Sequence, residues 1–289
     1  VDPLSLYRYK MSIASALDKE RVRILGEPLV MYEGKAYVGV EVNREEQRFI
    51  EWDKKYVDGM RIPLGMDNFQ RPVVWDLNNQ STPHALVCGS TGSGKSVELM
   101  SIIKSALAAG VKDITVLDPK WEFAEKNLPK SVKVISEIID IEKELERMVD
   151  DMNKRVRNHS HRLSLVIFDE FADAADQSRK GKQLVDIDKV TGEAIQHKSL
   201  LENFKMLLQK GRSAGFRFVA ATQRASVKTI PGDIKVNLPV QICFRVPKGL
   251  DSKVVIDTEG AEALAGKGDG LINSPEYRSG LVRFQAFYC

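Results

Sequence analysis

The sequence predicts an α/β protein with a mainly parallel sheet, preceded by a small, partial α+β domain. Three observations carry that expectation. From Pro83 onward short β-rich runs alternate with helical stretches. Most of the runs carry little charge, as strands covered on both faces require. One of them leads through a glycine-rich loop straight into a helix. The 289 residues, 43% apolar and 29% charged, are ample for a sizeable core and exclude a disordered or fibrous chain.

Residues 1–60 read as the small domain. A short helix is expected over residues 12–19, with Ile13, Ala14 and Leu17 on one side. Residues 21–25 and 36–42 alternate as half-buried strands do, with the turn-prone Glu33-Gly34 before the second. Residues 59–80 loosen into Pro, Gly, Asn and Asp, which marks a connection between units. The larger domain then occupies residues 61–289.

Its strands are expected at Ala85-Leu86-Val87-Cys88, at Ile114-Thr115-Val116-Leu117 and at Leu165-Val166-Ile167-Phe168. Two more follow at Phe216-Arg217-Phe218-Val219-Ala220 and Val240-Gln241-Ile242-Cys243-Phe244. Residues 96–109 form a helix stopped by Gly110, which favours left-handed backbone. Ile138, Ile141, Leu145, Met148, Met152 and Val156 recur at steps of three and four, the stripe of a helix packed on the core. Residues 173–199 are polar, charged and without clear period, and read as a mobile insertion. No internal repeat is present. Trp52, Trp75 and Trp121 are scattered and expected to pack, and His159 and His161 are too sparse for a metal site.

No stretch has the length and apolarity of a membrane-spanning helix, and the N-terminus lacks the layout of a secretory signal. Cys88, Cys243 and Cys289 are widely separated, as in a cytoplasmic protein with reduced thiols. The net charge of +3 conceals an uneven distribution. Residues 205–254 hold ten basic residues against Asp233 and Asp251, a local +8 that leaves −5 for the remainder. Such an excess suits a polyanion site, and it equally suits a solvated face with scattered charges.

The motifs carry the chemistry. Gly89-Ser90-Thr91-Gly92-Ser93-Gly94-Lys95-Ser96 fits the phosphate-loop pattern and stands between a strand and a helix, as that loop must. Its backbone N–H groups would cradle phosphates, with Lys95 reaching the β- and γ-phosphates and Ser96 ligating Mg²⁺. Asp169-Glu170 ends a buried strand, where Asp169 would hold the metal and Glu170 orient a water or take its proton. Gln223, at the tip of the strand from Phe216, could sense the γ-phosphate, or be a loop-surface glutamine. Arg212 suits the C-terminus of the preceding helix. Its functional alternative is a finger to a neighbouring subunit's γ-phosphate, worth roughly 10³–10⁵ in rate.

With these residues in place, a family resemblance emerges. The stretch from Val87 to Val97, Leu117-Asp118-Pro119-Lys120 and Phe168-Asp169-Glu170-Phe171-Ala172-Asp173 resemble the FtsK/SpoIIIE family of hexameric double-stranded DNA translocases. Gln209-Lys210-Gly211-Arg212-Ser213-Ala214-Gly215, Ala221-Thr222-Gln223-Arg224, residues 251–257 and residues 260–269 are similar to further family segments. The N-terminal part resembles the end of the family's smaller domain, most clearly over residues 37–43. The resemblance implies a RecA-like P-loop NTPase that uses ATP and Mg²⁺ and assembles as a hexamer around double-stranded DNA. It implies Arg212 as the trans-acting finger, and Arg224, Lys235 and Lys248 as pore-loop contacts to phosphates. It also leaves room for a membrane-anchoring segment or partner outside this chain. The chain departs from the family at Ala225, where proline is common, and in the longer 173–199 segment. No winged-helix segment follows in these residues, so they read as a motor core. Related secretion or conjugation coupling ATPases share the phosphate loop, and a nucleotide-gated scaffold is the non-enzymatic alternative.

Overall fold

The computed structural model describes residues 6, 8–18, 22–32, 35–42, 49–123, 128–180, 185–187, 194–196, 198–277 and 281–289. The expected turn at Glu33-Gly34 lies outside them, as does much of 173–199. The chain opens with α1 (Lys10–Ala16), then β1 (Val22–Tyr32) and β2 (Lys35–Val42), which pair antiparallel. Next come β3 (Ile50–Glu51), β4 (Arg61–Asp67), β5 (Pro72–Asp76) and β6 (Ala85–Cys88), followed by α2 (Lys95–Ala108), β7 (Asp113–Leu117) and β8 (Val132–Ile135). Then follow α3 (Ile138–Arg157), β9 (Ser164–Phe168), α4 (Phe171–Lys180), β10 (Val185–Ile187), β11 (Ala194–Gln196) and α5 (Leu200–Lys210). The remainder is β12 (Phe216–Thr222), α6 (Gly232–Lys235), β13 (Val240–Phe244), α7 (Gly249–Ile256), β14 (Asp269–Asn273) and β15 (Leu281–Tyr288).

One 11-stranded sheet dominates, in the order β5-β4-β15-β14-β13-β6-β12-β9-β7-β8 with β3 beside β15. The strands from β13 to β8 along that order are parallel; β14, β15, β4 and β5 extend the sheet antiparallel. Alternate residues of each central strand feed two separate cores, as the pleat dictates. Ala85, Val87, Leu165 and Ile167 pack with Leu99 and Ile102 of α2. Leu86, Cys88, Val166 and Phe168 pack on the other face with Leu145 of α3 and Phe204 of α5. This is the α/β class expected, with helices on both faces.

Four details differ from the sequence-based expectation. Residues 59–80 are not a loose connection but the hairpin β4–β5, with Ile62, Leu64 and Trp75 fully buried. Its turn is closed by Asp67, whose carboxylate accepts from Phe69 N and Arg71 N, both at 2.8 Å. Pro63 and Gly65 mask the alternation because a register shift lies between them. The 173–199 segment is partly regular: α4 runs into it with Phe171, Ala174 and Ala175 buried at helical spacing, and β10 pairs antiparallel with β11. Trp121 does not pack; it is 54% exposed at φ 63°. Val156, at the end of the α3 stripe, is likewise half exposed at 50%.

The larger sheet also draws in residues ahead of position 61. Ile50–Glu51 pairs with β15, and Tyr56 stacks on Phe287 with ring centroids 5.1 Å apart. Trp52 Nε1 donates to Ser105 Oγ of α2 at 2.8 Å. At the start of β6, buried His84 accepts from Phe218 N (3.0 Å) through Nδ1, while Nε2 lies 3.1 Å from Leu208 O. Burial, aided by Arg217, pushes its pKa down to about 3, so it is a neutral pin between sheet and helix. No helix among the described residues is long and apolar enough to cross a membrane.

Candidate active site

Parallel register brings the site together. Thr222 pairs with Cys88, Ala220 with Phe168 and Leu117 with Phe168, so β6, β12, β9 and β7 end along one edge. The loops leaving that edge carry Gly89 to Ser96, Asp169-Glu170, Gln223 and Lys120. Strand tips in such sheets are where ligands sit.

The phosphate loop is braced by two later segments. Ser90 donates through both N and Oγ to Arg245 O, each at 2.9 Å. Gly268 N donates to Ser93 O at 2.7 Å and Lys267 N to Gly92 O at 3.3 Å. Gly94, the N-cap of α2, has φ 111°, and a Cβ there would collide with the Gly268 backbone. Residues 260–269 thus fix the loop that opens α2, which gives that stretch a physical role. A cavity of about 340 Å³ lies on the loop, with Thr91, Lys95, Ser96, Glu122, Gln223 and Tyr288 in its lining.

Lys95 is buried and bridges the acidic pair. Its Nζ contacts Asp169 Oδ1 and lies 2.9 Å from Glu170 Oε1. Burial opposes the ammonium's charge, but the two carboxylates outweigh it and its pKa is raised. Burial also pushes the Asp169 carboxyl up, against the pull of Lys95. The direct contact with Lys95 favours the ionised form of Asp169. Asp169 Oδ2 is buried with no hydrogen-bond partner, an orphaned acceptor suited to a metal's water shell. Among the described residues no group of three or more His, Cys, Asp or Glu could hold a metal by itself. A magnesium ion here would therefore need Ser96, Asp169 and the nucleotide's own phosphates.

Glu170 is fully buried and strained, with φ 47°. Its Oε2 accepts from Gln223 N at 3.2 Å and lies 3.5 Å from Lys120 Nζ. Gln223 Oε1 in turn accepts from Thr91 Oγ1 at 3.2 Å, so its side chain touches the phosphate loop. Ser96 Oγ donates to Glu122 Oε2 at 3.0 Å. Sequence reasoning assigns no role to Lys120 or Glu122, although Lys120 stands in the Asp118-Pro119-Lys120 motif. Asp118 orders their loop by accepting from Glu122 N (3.1 Å) and Phe123 N (2.7 Å).

The remaining candidates lie elsewhere. Arg212 precedes β12, so the length of that strand, about 20 Å at 3.3 Å per residue, separates it from Gln223. It donates to Gln80 O at 3.1 Å and is exposed. Buried Arg217 holds that turn through Arg212 O (3.3 Å) and Phe216 O (2.8 Å). Arg224 and Lys248 are exposed. Lys235 is ion-paired with Asp257 at 2.7 Å and only 16% exposed. The +8 window is weaker in space than along the chain, because Asp257 and Glu259 just beyond it take Lys235 and Lys253.

The FtsK/SpoIIIE family model matches residues 44–227. The chain is 30% identical over 309 aligned residues to a protein named DNA translocase FtsK from Helicobacter pylori (strain J99 / ATCC 700824), covering 95% of this chain and 34% of that protein. It is 33% identical over 257 residues to DNA translocase SftA of Bacillus subtilis (strain 168), covering 82% and 27% respectively. The solved structure of the pCW3 conjugation coupling protein TcpA with ATPγS superposes with a TM-score of 0.70 at 25% identity, covering 100% of this chain and 82% of that one. The chain spans about a third of the length of the curated relatives it matches. Family motif by motif, and with a P-loop ATPase fold holding them at one sheet edge, the chain belongs to the FtsK/SpoIIIE family.

Proposed function

We propose that this chain is the ATP-hydrolysing motor of a double-stranded DNA translocase, working as a ring with ATP between subunits. The observation that carries the reading is the convergence of Lys95, Asp169, Glu170 and Gln223 on one sheet edge, in a chain whose relatives are named DNA translocases. In hydrolysis a water oxygen attacks the γ-phosphorus, its proton passes to Glu170, and the bond to the β–γ bridging oxygen breaks to leave ADP. Incoming phosphates draw Lys95 off the carboxylates, and the loop's N–H groups take the developing charge. Magnesium, when bound, would supply a Lewis acid for the phosphates, and Ser96 and Asp169 would hold it.

Arg212 supports the ring. It sits too far from its own phosphate loop to serve it, and it is exposed, as a residue reaching into a neighbour's site must be. Of the three cations that the resemblance assigns to DNA phosphates, Arg224 and Lys248 are exposed, and Lys235 is less available because of Asp257. Contacts of this kind are independent of base sequence, which suits a motor moving along any duplex.

Replacing Arg224 and Lys248 together by alanine is expected to cut stimulation of ATP hydrolysis by duplex DNA about tenfold and flatten its salt dependence by about two phosphate contacts. Undiminished stimulation would place the DNA contact elsewhere. A second reading, a conjugation coupling ATPase acting on single-stranded DNA and protein, draws on the likeness to the conjugation coupling protein. Stimulation by single-stranded DNA but not duplex would favour it.

A further inference from the structure

The acidic pair has an outward continuation that the hydrolytic roles leave unused. Lys120 Nζ lies 3.5 Å from Glu170 Oε2 and 2.9 Å from Asp173 Oδ2. Asp173 Oδ1 in turn lies 3.6 Å from a guanidinium nitrogen of Arg224. The line begins at fully buried Glu170, passes through Lys120 at 35% and Asp173 at 15%, and ends at Arg224, 68% exposed. Four charges of alternating sign therefore run from the hydrolytic carboxylate to the surface. Beside the outer end opens a cavity of about 410 Å³, lined by Asp173, Asp176, Arg224, Lys228 and Asp251 among others, with room for Arg224 to change partner.

We propose that Asp173 is a positioning residue which, through Lys120, couples the phosphate grip of Arg224 to the access of the attacking water to Glu170. This rests on the reading of Arg224 as a DNA contact and of Glu170 as the proton acceptor. With Arg224 on Asp173, the aspartate is shared by two cations and Lys120 stays in reach of Glu170. A Lys120 ammonium beside Oε2 competes with the attacking water for that oxygen. A DNA phosphate that captures Arg224 leaves Asp173 with Lys120 alone. Asp173 then draws Lys120 outward, and Glu170 Oε2, keeping only the Gln223 N–H, is open to the attacking water. The chain of contacts is short, and its two middle members, Lys120 and Asp173, each stand between two partners of opposite charge, which gives coupling between the ends a contiguous path.

The sign is specific. Asp173→Asn removes the outer anchor, so Lys120 settles on Glu170 whether or not DNA is bound. Lys120→Met removes the cation itself, so Glu170 no longer waits for DNA. The test is steady-state ATP hydrolysis by wild type, D173N, K120M and the double variant, with and without duplex DNA, alongside DNA affinity by fluorescence anisotropy. D173N is expected to lower the ratio of stimulated to unstimulated turnover at least fivefold, with KM for ATP within twofold and DNA binding no weaker than in wild type. K120M is expected to raise the rate without DNA, and in the double variant to restore turnover lost in D173N. A merely structural role for Asp173 would give no such rescue. Wild-type stimulation in D173N, or a double variant no better than D173N, overturns the relay while leaving the translocase reading intact. A wild type that neither binds duplex DNA nor responds to it overturns that reading, and removes the relay's input with it.

Discussion

Lys95→Ala is expected to weaken ATP binding about 100-fold or more and to abolish hydrolysis, because it removes a charge-assisted contact to the phosphates worth about 3 kcal/mol. The structure adds a consequence for stability. Lys95 is the buried cation between Asp169 and Glu170, themselves buried. Removing one partner of a buried ion pair costs about 3–5 kcal/mol, since a charge is left uncompensated. The variant should therefore melt well below wild type without nucleotide, and a further Glu170→Gln exchange should recover part of the loss. Calorimetry of the three proteins checks this, with nucleotide affinity measured in parallel. Wild-type melting in Lys95→Ala would mean that the contacts with Asp169 and Glu170 contribute nothing to stability.

Glu170→Gln should separate binding from chemistry. Glutamine keeps an oxygen to accept from Gln223 N but cannot take a proton from water. Loss of a general base lowers turnover by about 10²–10⁴-fold. ATP should still bind, because the phosphate loop, Ser96 and Lys95 are untouched, and Lys95 would be freed of one carboxylate. The expected protein is a stalled one that binds ATP and turns over slowly in single-turnover measurement. Normal turnover in that variant would remove Glu170 from its role and leave Asp169 as the sole acid required.

Much of this site is legible in the sequence because its chemistry is contiguous. Gly89 to Ser96 and Asp169-Glu170 are short strings in which the spacing is the mechanism, and β6 and β9 read as strands because both of their faces are buried. The flank of the sheet is not legible. In Arg61-Ile62-Pro63-Leu64-Gly65-Met66-Asp67 a proline, a glycine and a bulge interrupt the run, and its burial comes from β15, more than 200 residues away. Lys120 and Asp173 escape for a different reason. They meet only because Leu117 and Phe168 stand opposite each other at the ends of parallel β7 and β9. The basic window overstates the free cations, since a sum along the chain cannot see that Arg217 is buried or that Asp257 holds Lys235.

In the proposed ring, subunits would complete one another's sites and duplex DNA would stimulate the ATP-driven cycle. ATP turnover per subunit, measured across protein concentration with and without duplex DNA, tests both at once. The expected per-subunit rate climbs with concentration, as Arg212 of one subunit reaches the phosphates held by the next, and rises further with duplex DNA. A per-subunit rate flat with concentration and indifferent to duplex DNA would refute both.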